Sequence, residues 1–405
     1  MRLKFFLIGC ICVLACSAQT QLPIDAIIGA NPIDSAETGK LGLTVDAVAF
    51  VKDNEYDGVH SNGYTLPGFC IEPRLTWQPT TTVRLEAGFH ALVFDGANRY
   101  PCYVYNDIGR WKGNQYQSGA HLLPFLRADA RIGHATFVLG NIYGGIRHGL
   151  MEPLLNPEVE LSQDPEMGAQ ILVNLPHYKM DAWINWQSYI FEMDTHQEAF
   201  AVGLSQRFLL NKASSQWHWY VPLDLLVQHY GGEQDLKELG LGFQTLLNYG
   251  VGVGLWWNAG GTVLRRMNVE AALLGCWQKD GKLWLYDNGI GGSLSVSAYL
   301  NRRLHVFGGI VASHRYVSLY GMPFYSTASL KTEGANFAGV VTPHAGVEWC
   351  YDFGESYKLG ARADVFIPHT GRVTYMDGST NDATSNAVFS FGLYFRCHPH
   401  WLLSH

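Results

Sequence analysis

The chain has 405 residues, of which 47% are hydrophobic and only 16% are charged, with 44 glycines and a net charge of −7. The charged fraction lies below the roughly 25% of ordinary soluble domains, and no linker or composition shift divides the chain, so we predict one large domain. The negative net charge disfavours a nucleic-acid partner, because such binding relies on basic side chains that neutralise phosphates.

The N-terminus has the pattern of a secretory signal peptide. Arg2 and Lys4 precede the apolar run "FFLIGCICVLAC", and small residues follow in "SAQTQ". This order predicts a signal peptide over residues 1–18 that is cleaved after Ala18, since the apolar run is too short to span a bilayer. The alternative is a lipoprotein cleaved before Cys16, which would then be lipidated. Residues 19–40 are predicted to form a periplasmic N-terminal segment.

After the signal, the recurring feature is alternation of apolar and polar residues, which indicates strands with two different faces. In "TTVRLEAGFHALVF", Val83, Leu85, Ala87, Phe89, Ala91 and Val93 alternate with residues that include Arg84, Glu86 and His90. Sixteen segments of this kind are predicted, near 41–52, 66–77, 82–94, 121–132, 135–143, 167–175, 178–190, 198–208, 217–230, 243–257, 264–277, 291–300, 303–315, 339–351, 357–367 and 386–397.

The connections between these segments alternate in length over most of the chain. Short ones are "QPTT" (78–81), "GH" (133–134), "PH" (176–177), "NAGG" (258–261) and "NR" (301–302). Long ones are 53–65, 95–120, 144–166, 316–338 and 368–385, whereas 191–197 is brief where the alternation calls for a long loop. Short turns at one end and long loops at the other are typical of outer-membrane barrels.

Two architectures contain many antiparallel strands with one apolar face, the soluble sandwich and the transmembrane barrel. The predicted strands exceed the usual five or six residues, and several tryptophans adjoin short connections, as in an interfacial girdle. We therefore predict an all-β fold, a transmembrane antiparallel up-and-down β-barrel of about 16 strands (14 are possible). It would span residues 41–397, with short periplasmic turns, long extracellular loops and a C-terminal tail over 398–405.

These features give the chain a resemblance to Gram-negative outer-membrane β-barrels of porin-like size. The "SAQTQ" junction and the aromatic content resemble uncharacterised barrels of the Bacteroidota. The resemblance implies location in the outer membrane and contact with outer-membrane lipid and with the assembly machinery, and it is compatible with a homo-oligomer. The chain departs from the pattern after Phe395, where "RCHPHWLLSH" follows the aromatic final strand.

If the apolar faces contact lipid, the polar faces line a lumen. The residues predicted to line its constriction come from three consecutive strands and from the loop 144–166, and they are Glu72, Arg74, Arg84, Glu86, His90, Arg127, Asp129, Arg131, Glu152, Glu158, Glu160 and Asp164. A basic wall opposite an acidic inward loop would create a transverse field in a pore. The alternative is that these charges pair with one another and fill a plugged interior.

No other pattern predicts a catalytic, metal or cofactor site. After signal cleavage five cysteines remain, Cys70, Cys102, Cys276, Cys350 and Cys397, which is an odd number without a CxxC motif. A serine elbow and HExxH are absent, and the adjacent Ser313 and His314 would point to opposite faces of a strand. We therefore predict no cofactor, no metal and no enzymatic activity.

Three functions remain as hypotheses. The first is a porin-like channel for passive diffusion of small polar solutes, with charged and aromatic residues lining its lumen. The second is a plugged structural or ligand-binding barrel whose loops 95–120 and 316–338 bind something outside the cell. The third is an outer-membrane lipid-modifying enzyme.

Overall fold

The computed structural model describes residues 33–94, 119–188, 197–212, 214–231, 243–279, 286–318, 320–332, 334–383 and 386–403. The predicted signal peptide, Cys16 and Cys102 lie outside these residues. Sixteen long strands are present, Leu41–Glu55 (β1), Tyr64–Thr80 (β2), Val83–Phe94 (β3), Gly119–Ile132 (β4), Ala135–Asn141 (β5), Met167–Leu175 (β6), Tyr178–Ser188 (β7), Glu198–Leu209 (β8), Trp217–Gly231 (β9), Gln244–Asn258 (β10), Arg266–Lys279 (β11), Asn288–Tyr299 (β12), Leu304–His314 (β13), Gly339–Asp352 (β14), Tyr357–Phe366 (β15) and Val388–Cys397 (β16).

The sixteen strands close into an antiparallel barrel. Each pairs with its neighbours in the chain, and β1 pairs with both β2 and β16, so that Ala49 lies opposite Phe69 on one side and Phe395 on the other. Closure removes the exposed strand edge and allows every backbone group of the wall to find a partner without water. The predicted fold and strand number are therefore confirmed, and each strand boundary lies within three residues of its prediction.

Loop length separates the two ends of the barrel, as the sequence predicts. At one end, residues 81–82, 133–134 and 176–177 form tight turns. At the other end lie the long connections 142–166 and 315–338. We call these the short-turn end and the long-loop end.

The apolar side chains of the wall point outward and the charged ones point inward, which is the reverse of a soluble protein. On β3, Leu85 and Phe89 point outward and are 36% and 45% exposed, whereas the alternating Glu86 and His90 point inward and are 4% and 3% exposed. In a soluble protein charged side chains are almost never so buried while large apolar ones are exposed. This distribution is the one expected of a barrel whose outer face contacts lipid.

Shorter elements occupy the loops and the termini. They are the 3-10 helices Ser35–Glu37, Gly145–His148, Pro157–Leu161 and Pro323–Tyr325, and the short strands Asn336–Phe337, His369–Thr370, Arg372–Thr374, Thr380–Asp382 and His400–Leu402. Among the described residues, no helical segment has the length and apolar character needed to cross a bilayer.

Both described ends of the chain lie at the short-turn end. The backbone N–H of Gly39 donates to the carbonyl of Gln78 at 2.7 Å. Within the segment predicted to be a tail, His400–Leu402 pairs with Gly42–Thr44 of β1. Pairing with the wall therefore continues beyond Cys397.

Two long loops fold back into the barrel. We call residues 142–166 the crossing loop and residues 315–338 the second loop. Met151 and Leu154 of the crossing loop pack in one buried cluster with Tyr316 and Phe324 of the second loop. The second hypothesis treats 316–338 as an outward binding loop, and this is wrong for Tyr316 and Phe324, which are buried against the crossing loop. The other loop of that hypothesis, 95–120, lies outside the described residues except for its last two.

The depth of the outer face in a bilayer can be tested with two substitutions on one strand. Leu126 lies near the middle of β4 and Ile132 lies at its short-turn end, and they are 61% and 68% exposed. We expect Leu126→Arg to lower the free energy of unfolding in lipid vesicles by about 2–4 kcal/mol and Ile132→Arg by about 0–1 kcal/mol. Urea unfolding measures both, and equal effects would contradict the assignment of this face to the bilayer.

Candidate active site

The crossing loop spans the full width of the lumen. On one side, Arg207 of β8 donates to the carbonyl of Gly149 at 2.5 Å, and the N–H of Met151 donates to Asp224 of β9 at 2.9 Å. On the other side, the Glu158 carboxylate binds Lys52 of β1. Because β1 and β8–β9 lie half a turn apart in a ring of sixteen strands, the loop divides the interior.

The local sequence explains the shape of this loop. The 3-10 turn Gly145–His148 begins with Gly145, which has a φ of 62°, and is followed by Gly149, which has a φ of 64°. This left-handed conformation is costly for other residues. The later turn begins at Asn156, whose side chain accepts from the N–H of Glu158 at 3.0 Å, with Pro157 in the first position, a favourable start for a helical turn.

A buried acid–base cluster lies where the crossing loop leaves the wall. The Nδ1 atom of His148 is 2.8 Å from Asp181 Oδ2 of β7, and its Nε2 atom is 3.1 Å from Glu166 Oε2. The ring stacks on Trp183, with centroids 3.5 Å apart and planes 6° from parallel. Gln170 donates to both oxygens of Asp181, at 2.8 and 3.0 Å. Both ring nitrogens and one face of the imidazole therefore have a contact that fixes the orientation of the ring.

The charge state of this cluster follows from its two carboxylates. Burial alone lowers the pKa of His148, but Glu166 and Asp181 together raise it to about 9. Burial raises the pKa of Glu166, but the charge and hydrogen bond of His148 bring it below its usual value. At neutral pH His148 is therefore an imidazolium, which can donate a proton, and Glu166 is a carboxylate, which can accept one.

The far side of the crossing loop has its own polar cluster. Glu158 is 5% exposed and binds Lys52, the Tyr64 hydroxyl and Asn54, whose Nδ2 lies 3.3 and 3.4 Å from the carboxylate oxygens. Nearby, Arg396 of β16 donates to Glu160 at 3.1 Å. These contacts fasten the loop to the strands that close the barrel.

Another carboxyl of the crossing loop, that of Glu152, has a raised pKa. Burial raises the pKa of Glu152 to about 7, against the opposing effect of Arg362. Its side chain keeps 28% of its surface accessible, and its Oε2 lies 3.9 Å from His344 Nε2.

A cavity of about 360 Å³ lies between the crossing loop and β1, β14, β15 and β16. Its lining combines charged side chains, among them Lys52, Glu158 and Arg362, with apolar ones such as Ile146 and Phe366. A pocket with apolar walls and a few charged groups suits an amphipathic molecule.

The arginines predicted to form a basic wall are paired. Arg74, Arg84 and Arg127 surround Glu86, with N–O distances of 3.1, 2.9 and 3.3 Å. Arg74 also binds Asp46 and lies 2.6 Å from Glu72. The predicted residues therefore face the interior, but in the arrangement that the plugged alternative describes; their role as a constriction stays a prediction.

Arg127 and Asp129 hold the base of the crossing loop. Arg127 donates to the carbonyls of Asn141 and Ile142 at 2.6 and 3.1 Å, and its guanidinium lies 3.8 Å from the ring centre of Tyr143. The Tyr143 hydroxyl donates to Asp129 at 2.9 Å. Arg131 instead lies at the short-turn end, where it donates to the carbonyl of Thr81 at 2.7 Å.

The acidic residues of the crossing loop do not pair with these arginines. Glu158 and Glu160 bind Lys52 and Arg396, and Asp164 lies 2.8 Å from His121 Nδ1. The predicted transverse field between this loop and the arginines of β2–β4 stays a prediction.

None of His148, Glu166 and Asp181 is among the site residues that the sequence predicts. The available signal was a histidine next to glycines in "GGIRHG", inside a loop expected to enter the lumen. Its carboxylate partners could not be identified without the path of the loop.

The chain matches the family model described as Lipid A 3'-O-deacylase-type over residues 33–405. No curated protein gives a significant match. Solved structures with a similar fold include OmpT of Vibrio cholerae in trimer form (9% identity, 89% of this chain and 100% of that chain, TM-score 0.48) and an anion-selective porin from Comamonas acidovorans (8% identity, 89% and 98%, TM-score 0.47). Likenesses at this level support no functional inference.

The family match overturns one prediction. The sequence predicts no enzymatic activity, because the familiar hydrolase motifs are absent. The matching family, however, is a family of deacylases. That prediction is wrong. Motifs such as the serine elbow describe other folds, whereas here the acid–base groups are distributed between a loop and the inner wall.

The raised pKa of Glu152 gives a pH-dependent prediction. A carboxyl whose pKa is raised by folding destabilises the protein once the pH rises from about 4.5 through about 7. We expect Glu152→Gln to leave stability unchanged at about pH 3.5 and to increase it at about pH 9, by at most about 3 kcal/mol. Urea unfolding at both pH values measures this difference.

Glu160→Gln is the matched control, because it removes a carboxylate of the same loop that has an ion-pair partner, Arg396. It should not stabilise the barrel at pH 9. A Glu152→Gln effect of the same size at both pH values would show that the carboxyl does not change its charge in this range.

Proposed function

Because the chain belongs to the Lipid A 3'-O-deacylase-type family, we propose that it is an outer-membrane hydrolase that removes an ester-linked acyl chain from a lipid A-class glycolipid. The observation that carries the proposal within the structure is the His148–Glu166 pair, oriented by Asp181 at the inner wall. The lipid-facing exterior of the barrel supports the proposal, because a lipid A-class glycolipid lies in the same bilayer.

In the proposed reaction the pair moves one proton in each direction. Glu166 accepts a proton from a water molecule as the water oxygen bonds to the ester carbonyl carbon. His148 donates its Nε2 proton to the leaving alkoxide as the acyl C–O bond breaks, which yields a fatty acid and a free hydroxyl on the lipid. Glu166 then returns its proton to His148, 3.1 Å away. Proton transfers by positioned groups of this kind typically contribute about 10²–10⁴-fold to a rate.

Asp181 and Trp183 have positioning roles. A carboxylate on Nδ1 fixes the tautomer and the orientation of a catalytic imidazole and stabilises its cationic form. The Trp183 ring lies flat against the imidazole at 3.5 Å and restricts its rotation. The cavity between the crossing loop and β1 and β14–β16 has charged and apolar walls, which supports binding of an amphipathic lipid.

The passive-channel hypothesis has less support. In the described interior the crossing loop spans the lumen, the second loop packs against it, and Arg74, Glu86 and Arg127 are all at most 7% exposed. A diffusing solute requires continuous water, which paired and buried charges do not provide.

The proposed role of His148 can be tested by substitution. We expect His148→Gln to reduce release of fatty acid from purified lipid A in detergent micelles by about 10²–10⁴-fold, with the barrel still folded by heat-modifiable migration in gels. His121→Gln is the matched control, since it breaks another buried histidine–carboxylate pair, at 2.8 Å, and should retain most activity. Full activity in His148→Gln would remove this residue from the mechanism.

Conductance distinguishes the enzyme from the channel. We expect the intact barrel in planar bilayers to show no stable open-pore steps, whereas replacing residues 146–162 with a short Gly/Ser linker should produce them, because that segment fills the lumen between β1 and β8–β9. Stable steps from the intact protein would contradict the plugged interior and favour the channel.

A further inference from the structure

Three side chains with metal-binding atoms converge on the inner wall, away from the His148 cluster. Cys70 and Glu72 alternate along β2 and so share a face, and His90 lies next to them on β3. Their ligand atoms all lie within 4.8 Å of one another. Neither the acid–base chemistry proposed above nor the ion pairs of the crossing loop use the Cys70 thiol or the His90 imidazole.

The distances suit a small tetrahedral ion. Cys70 Sγ and His90 Nδ1 are 3.6 Å apart. A tetrahedral zinc ion with Zn–S of about 2.3 Å and Zn–N of about 2.05 Å holds these two atoms about 3.6 Å apart. His90 Nδ1 and Glu72 Oε1 are 2.8 Å apart, so this edge has to lengthen by about 0.5 Å to reach the separation of a nitrogen and an oxygen ligand around zinc.

The surrounding charges favour a cation. The charged groups near the Cys70 sulfur include three carboxylates, from Glu72, Asp46 and Glu160, and the guanidinium of Arg74. Asp46 is paired with Arg74 and Glu160 with Arg396, so these groups together keep a net negative charge. Arg74 holds the other oxygen of Glu72, Oε2, at 2.6 Å, which leaves Oε1 directed at His90. A partner that orients a ligating carboxylate in this way is the usual outer shell of a protein metal site.

The group is open on one side. Cys70 and Glu72 are only partly buried, and the Glu72 side chain keeps 20% of its surface accessible. An ion can therefore enter from the interior, and a fourth coordination position stays available for water or another small ligand. Three protein ligands and one open position are a common arrangement around zinc.

We propose that Cys70, Glu72 and His90 bind a Zn²⁺ ion that cross-links β2 and β3 on the inner side of the wall. The thiolate and imidazole donors select a borderline-soft transition ion over calcium or magnesium. On binding, the Cys70 thiol releases its proton to solvent, and His90 ligates through an unprotonated Nδ1 with its proton on Nε2.

Cobalt(II) is the probe for this site, because a cobalt–thiolate bond gives a near-ultraviolet charge-transfer band that carboxylate and imidazole ligands do not. We expect the folded mature barrel in detergent to develop this band with Co²⁺ and to lose it when Zn²⁺ is added. Cys70→Ala should abolish the band, and His90→Gln should weaken metal affinity by more than about tenfold, the lower end of what loss of even an outer-shell partner costs.

Two controls separate this site from other donors. Cys397→Ala makes the same chemical change at the free cysteine that ends β16 and should keep the band. His398 and His400 lie near Asp46 and Thr44, so the double variant His398→Ala/His400→Ala should also keep it. A band that survives Cys70→Ala, or that disappears with the tail histidines, overturns the assignment.

A measurement on the unaltered protein covers the case in which a variant fails to fold. Alkylation of the folded barrel with iodoacetamide, with modification read at each cysteine by mass spectrometry, should slow at Cys70 in the presence of Zn²⁺ and be unchanged at Cys397. Equal alkylation of Cys70 with and without Zn²⁺ would refute the proposal, as would the absence of any cobalt–thiolate band.

Discussion

Pairing of buried charges inside the barrel is the constraint on which the crossing loop and the candidate site depend. Arg207 lies 2.5 Å from Asp224 and also holds the carbonyl of Gly149, while Lys52 holds Glu158 half a turn away. Breaking one partner of such a pair leaves an uncompensated charge in a dry interior, which is strongly destabilising. The loop is therefore fixed at both sides of the lumen, and His148, which directly precedes the anchored Gly149, is fixed with it.

The fold was predictable because the bilayer imposes a simple rule on every strand. Alternation places Leu85 and Phe89 outside and Glu86 and His90 inside, and the short turns set the register of each hairpin. The site was not predictable in the same way, because its contacts join distant parts of the chain. His148 and Asp181 are 33 residues apart, and Lys52 and Glu158 are 106 apart. Only closure of the barrel and the path of the loop bring these residues together.

The same distinction explains why the lumen residues were identified but their partners were not. The alternation gives the direction of Arg74, Arg84 and Arg127, and all three do face inward. It contains no information about the nearest opposite charge, and Glu86, on the same inner face, pairs with all three arginines. A cluster of inward arginines in a barrel therefore predicts a charged interior but not a basic one.

The pairing of charges in the interior also bears on the choice between a channel and an enzyme. Excluding water strengthens electrostatic interactions, so that a proton donor and acceptor fixed 3.1 Å apart are more effective in a plugged lumen than in an open pore. Packing of the loops in the lumen would lower the conductance of a channel. In the proposed hydrolase the same packing holds the His148–Glu166 pair in a fixed geometry. Strand pairing closes the wall, so a lipid substrate of the proposed hydrolase has to reach this pair through an end of the barrel and not between two strands.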